Sequence, residues 1–166
     1  LTLSAMQVVR LGYDPELGID AHFLSKASRS VQSAPASSKD IIELETLEQQ
    51  LDLFLDVPDA DLLLKESLYS LQESEQLMAD MVRLWKQGDA SGMNRLLFED
   101  AVKQYPAFSK IYDSLIYQRN RQMSSKINDM LEQHGVYFIV VGSGHLIGEK
   151  GIVNALREKG YQVKRL

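Results

Sequence analysis

Apolar positions recur at spacings of three and four along most of the chain, and the residues between them punctuate helices. Ser4 is placed to cap a short helix that Gly12 stops, and Tyr13 to Glu16 reads as a turn. Asp20 is placed to cap a second short helix carrying Phe23 and Leu24, and residues 30–40 form the most loop-like stretch. Ile41 to Leu44 is a short strand candidate. Thr46 followed three residues later by Gln49 spells a capping box, so a helix begins directly after Glu45 and ends near Pro58. From about Ala60 to Lys86, the series Leu64, Leu68, Leu71, Met78, Val82, Trp85 predicts one long amphipathic helix, interrupted only by Glu75. Gly88 ends it. Asp89 then opens a shorter helix with Met93, Leu96, Leu97, Ala101 and Val102. Pro106 suits the first turn of another long helix, which runs to about Gln133 and stops at His134-Gly135.

The pattern changes near the C-terminal end. Val136 to Val141 is an apolar run rich in β-branched and aromatic residues, too short for a helix, and it reads as a strand covered on both faces. Gly142 to His145 forms the turn after it, a helix follows from about Leu146 to Lys159, and Tyr161 to Leu166 reads as a further strand. This is one β-α-β unit with a right-handed crossover. The expectation is therefore an α/β fold, α+β by content, that is mostly helical with a small, mainly parallel sheet. Three strand candidates are too few to cover a central strand on both edges and both faces. The sheet should be incomplete, finished by a missing N-terminal portion or by a second chain. The missing portion is the preferred reading, because the sequence opens on Leu1.

Composition narrows the function more than the fold. The 166 residues carry 18 Lys plus Arg against 23 Asp plus Glu, a net charge of −5, which argues against a nucleic-acid surface. With no Cys, a disulfide scaffold, a thiolate zinc site and a thiol nucleophile are excluded. No apolar run approaches the ~20 residues of a membrane span, and no signal segment is visible. One domain over residues 1–166 is the default at this length.

Familiar catalytic motifs are absent. No His pair has the H-E-x-x-H spacing, no G-x-S-x-G elbow occurs, and Ile147 stands where a dinucleotide loop needs its third glycine. Three residues remain. Glu45 and His145 each follow a strand candidate and precede a helix, the edge at which α/β proteins bind ligands. Position alone leaves open the plain alternative, that both merely open helices. Arg119 falls on the inward stripe of Phe108, Ile111, Leu115, Met123, Ile127 and Met130, where a charge needs an anionic partner or a cavity, and Glu45 is a natural partner. His22 and His134 read as structural.

The chain resembles the C-terminal half of the TraB/GumN family, which is similar to the TIKI-type metal-dependent proteases and more distantly to erythromycin esterase and ChaN-like proteins. The segments that carry the resemblance are Gly12-Tyr13, Pro15-Glu16, Gly18 to Asp20 with Phe23-Leu24, Leu44 to Thr46 with Gln50-Leu51, and Trp85 with Gly88-Asp89. They continue through Arg119-Asn120 with Met123, Gly142 to Leu146 with Gly148, and Gly160-Tyr161. The resemblance implies a divided active site with two G-x-x-H motifs, of which this chain holds the second, in the loop Gly142, Ser143, Gly144 and His145. It implies that His145 and Glu45 are ligands to a divalent metal ion or acid–base groups. It further implies that Arg119 holds Glu45 or stabilises developing negative charge, and that the substrate is a peptide or small molecule. Half a site should not hydrolyse anything alone. A cell-envelope or extracytoplasmic setting belongs to the same resemblance.

Two further expectations complete the reading. The competing function is a non-catalytic binding or scaffold domain that keeps the fold. Unpaired strand edges should drive the chain into a homodimer, unless the missing half covers them.

Overall fold

The computed structural model describes residues 2–33, 40–55, 59–72, 74–133 and 135–166. Among these residues the fold is helical, with neither strand nor sheet, which corrects the α/β expectation. Helix α1 spans Thr2–Arg10, and a 3₁₀ turn at Pro15–Leu17 leads into α2, Ile19–Ser33. Asp20 lies inside α2 rather than capping it, and the helix reaches into the stretch expected to be loop. The capping box forms as the sequence requires: Gln49 N–H donates to Thr46 Oγ1 at 3.1 Å, and Thr46 N–H donates to Gln49 Oε1 at 2.9 Å. It starts α3, Leu47–Leu55.

The expected long helix is described as two, α4 over Ala60–Gln72 and α5 over Ser74–Gln87. Its inward face also differs. Leu64, Leu68 and Trp85 are exposed, whereas Leu62 and Tyr69 pack on the core and Glu66 Oε1 accepts from Tyr112 Oη at 3.3 Å. This helix is apolar on more than one side, so periodicity alone could not choose its buried face. Gly88, at φ 62, ends α5 as expected.

Helix α6 covers residues 90–104 and α7 covers residues 108–131. Asp89 caps α6 by accepting from Gly92 N–H at 2.8 Å. Each helix contains one π turn, Arg95–Glu99 in α6 and Asp113–Tyr117 in α7. The turns face each other through aromatic contacts: Phe98 meets Tyr112 and Tyr117 at centroid distances of 5.4 and 5.9 Å. Phe98, Ala101, Phe108 and Tyr112 form one core cluster.

A second cluster joins α7 to the C-terminal region. Met123, Ile127 and Ile152 are buried there, with Leu44, Ile139, Val141 and Leu156 packed around them. The segments expected as strands carry no regular secondary structure and pair with nothing among the described residues, and a strand requires a neighbouring backbone to exist. Residues 136–141 keep a partial alternation, with Ile139 and Val141 turned inward and Val136 and Phe138 exposed. The burial of both faces expected there is not found. After the single turn α8, Ser143–Leu146, the chain closes with α9, Ile152–Glu158.

Helix α3 turns an apolar face outward, with Leu47, Leu51 and Leu55 all exposed. No described helix is long and apolar enough to cross a membrane.

Candidate functional site

Glu45 stands one residue before the Thr46 cap, so the capping box that starts α3 also fixes its backbone. Its carboxylate meets Arg119 on α7 and also interacts with Gln50 of α3. Arg119 Nε donates to Glu45 Oε1 and Nη2 to Oε2, both at 2.7 Å, a bidentate pair. The third guanidinium nitrogen, Nη1, donates to the carbonyl of Leu115 in the π turn at 3.1 Å. The side chains are 8% exposed for Glu45 and 22% for Arg119, so most of this pair is withdrawn from water. Lys126 Nζ also donates to the Glu43 carbonyl, tying the segment before Glu45 to the same helix.

His145 comes from the other side. The turn α8 is short, its His145 N–H donating to the Gly142 carbonyl at 2.9 Å. A side chain on Gly144 would stand 3.4 Å from Phe98, whereas Gly142 has ordinary dihedrals and a Cβ there would be 3.8 Å from His145. Both distances are ordinary van der Waals contact, so neither position requires a glycine for space. The motif needs Gly142 for neither space nor backbone angle. Ser143 is exposed.

The residue that touches His145 is one to which the sequence assigned no role of its own. Asn120 is 2% exposed, and its Oδ1 lies 2.6 Å from His145 Nδ1. Its Nδ2 donates to the Lys150 carbonyl at 2.8 Å. A signal existed, since Asn120, Met123, Ser124 and Ile127 follow i, i+3, i+4, i+7. Ser124 is also buried, and its hydroxyl has no hydrogen-bond partner among the described residues.

Electrostatically the three candidate side chains act on one another. The Arg119 guanidinium holds the Glu45 carboxyl below its ordinary value of 4.5, against the opposing effect of burial, with His145 adding to the depression. Burial is the main cause that pushes the His145 ring below 6.5; the Arg119 charge adds to it and Glu45 opposes it. At neutral pH this is an ionised carboxylate beside a neutral imidazole. Both shifts have the same sign for stability. Below the ordinary histidine range the unfolded chain takes up a proton that folded His145 resists, and below 4.5 the same holds for Glu45. We expect the melting temperature to fall as pH drops from 7.5 towards 4. In His145→Gln the upper part of that fall, around pH 6, should shrink. An unchanged pH profile would mean that the ring is as solvated when folded as when unfolded.

The neutral ring, with Nδ1 engaged, suits His145 as one ligand for a divalent ion through Nε2. Glu45 retains lone pairs beyond those that Arg119 uses. Among the described residues, however, no three His, Asp or Glu side chains are grouped to hold a metal, and catalytic zinc takes three protein ligands. His22 is exposed and sits edge-on to Phe23, away from any such role, and His134 lies outside the described residues.

The TraB/PrgY/gumN family model matches residues 1–165. The chain belongs to the TraB/PrgY/gumN family. The Escherichia coli (strain K12) protein YbaP is 31% identical over 158 residues, covering 95% of this chain and 54% of YbaP. The Metalloprotease TIKI homolog of Amphimedon queenslandica is 38% identical over 58 residues, 34% of this chain and 11% of that protein. Metalloprotease TIKI1 of Danio rerio is 35% identical over 52 residues, 30% of this chain and 10% of its own length. The chain thus spans about half the length of YbaP. No solved structure matches it. TraB/PrgY/gumN membership bears out the resemblance drawn from the motifs.

Proposed function

We propose that this chain contributes part of a divided, metal-dependent hydrolase site that acts on peptides. In this reading His145 presents Nε2 as a metal ligand or general base, and Glu45 is a second ligand or the carboxylate that accepts a proton from the attacking water. Arg119 holds Glu45 ionised and oriented, and its charge faces negative charge that develops on a scissile carbonyl. Gly142, Ser143 and Gly144 shape the turn that carries His145. The chemistry such an ion supplies is polarisation of the carbonyl and activation of water. The missing ligands belong to polypeptide outside this segment.

What supports the reading is the gathering of a clamped carboxylate, a guanidinium and a neutral imidazole from three separate parts of the chain. The metalloprotease names among the relatives agree with it. Covering of the exposed apolar face of α3, by a second copy in a homodimer or by further polypeptide of a longer chain, is part of the same proposal.

The test is peptide hydrolysis by the complete protein that carries this segment. Activity should vanish on chelation and return with a divalent ion, and the 166-residue chain alone should hydrolyse nothing. Full activity after exhaustive chelation would overturn the metal. No activity in the complete protein under any ion would favour the scaffold reading instead.

A further inference from the structure

A buried asparagine is costly unless its amide is used, because a buried polar group that loses water without gaining a partner destabilises the fold. Asn120 is 2% exposed and lies one turn before Ser124 on the face that carries Met123 and Ile127. Its two ends are held by different partners. The Lys150 carbonyl, 2.8 Å from Nδ2, can only accept, so the amide nitrogen must face it. Reversing the amide would set two carbonyl oxygens against each other. The oxygen Oδ1 therefore faces His145 Nδ1 at 2.6 Å, and it too can only accept. The hydrogen must be on Nδ1.

We propose that Asn120 is a positioning residue that locks His145 in the Nδ1–H tautomer, which keeps the Nε2 lone pair unprotonated for a divalent cation or a proton. A free histidine side chain prefers the opposite tautomer, so the lock has to be built, and here the chain Lys150 C=O, Asn120, His145 builds it. Gly151 contributes from behind. It sits where a Cβ would be 2.4 Å from the Ile147 carbonyl oxygen, so the tight turn that presents the Lys150 carbonyl requires a glycine. The purpose given to Nε2 rests on the proposed hydrolase reading, while the tautomer itself does not.

The test uses the metal-free chain, uniformly labelled with ¹⁵N, at a pH where the ring is neutral. Two-bond ¹H–¹⁵N correlations report the imidazole tautomer, and His145→Gln assigns the signals. His145 should show a protonated Nδ1 and an unprotonated Nε2. Asn120→Ala should move the ring to the Nε2–H form, and Asn120→Asp, whose protonated carboxyl can still donate to the Lys150 carbonyl while its other oxygen faces Nδ1, should retain Nδ1–H. A wild-type ring in the Nε2–H form overturns the proposal, as does an Asn120→Ala ring that keeps Nδ1–H. If Asn120→Ala does not fold, the wild-type and Asn120→Asp spectra decide by the same criteria. In the complete protein, Asn120→Ala should weaken divalent metal binding by roughly 10- to 100-fold. Absence of any metal binding there would count against the hydrolase reading and leave the tautomer result standing.

Discussion

Arg119→Ala is expected to destabilise the chain by about 3 kcal/mol, shifting its urea midpoint downward by on the order of 1.5 M. The substitution removes both hydrogen bonds to the Glu45 carboxylate and leaves that group, 8% exposed, charged and without its counterion. Fully buried pairs lose roughly 3–5 kcal/mol when one partner is deleted; the 22% exposure of the arginine sets this pair at the lower end. Arg119→Lys keeps a charge but not the planar fork, and it should lose about half as much. The combination Glu45→Leu with Arg119→Met removes both charges together and should recover most of the loss, because neither group is then buried alone. Equilibrium urea unfolding of these variants checks the set. A midpoint shift for Arg119→Ala under about 0.5 M would class the pair with exposed salt bridges.

Gly151→Ala should lower stability by roughly 2–3 kcal/mol, about 5–10 °C in melting temperature. The added carbon would meet the carbonyl oxygens of Ile147 and Leu146 at 2.4 and 2.7 Å. Both are backbone atoms, so relief requires the whole turn to move. Its dihedrals, φ −79 and ψ 156, are open to any residue, and the effect is therefore one of space alone. Gly12→Ala is the control: nothing lies within 4 Å of the added carbon, and only the positive φ of 88 is disturbed, so about 1 kcal/mol is expected. Calorimetry of the two variants separates the effects. Equal losses would show that the turn at Gly151 yields easily.

The parts of the molecule written in local sequence were legible. Thr46 and Gln49 form their box, Asp89 caps α6, and Gly88 stops α5, because each depends on residues within one helical turn. The pairing of Arg119 with Glu45 was also readable, since a charge on an apolar stripe demands a partner. Asn120 was given no role because the stripe was counted in steps of four, through Ile111, Leu115, Arg119 and Met123, whereas a step of three back from Met123 lands on Asn120. The sheet was misread because strand character in Val136 to Val141 was inferred from residue type. Pairing is a relation between segments, and among the described residues no second segment pairs with this one.

The contacts of the site span very different lengths of chain. His145 meets Asn120 across 25 residues and Asn120 meets Lys150 across 30, whereas Arg119 reaches Glu45 across 74. Closing the longest of these loops loses roughly 1 kcal/mol more chain entropy than closing the shortest. Loop entropy alone thus favours opening at the segment bearing Glu45, and the bidentate pair with Arg119 is what opposes it, so the acid–base pair stays assembled only while that ion pair holds.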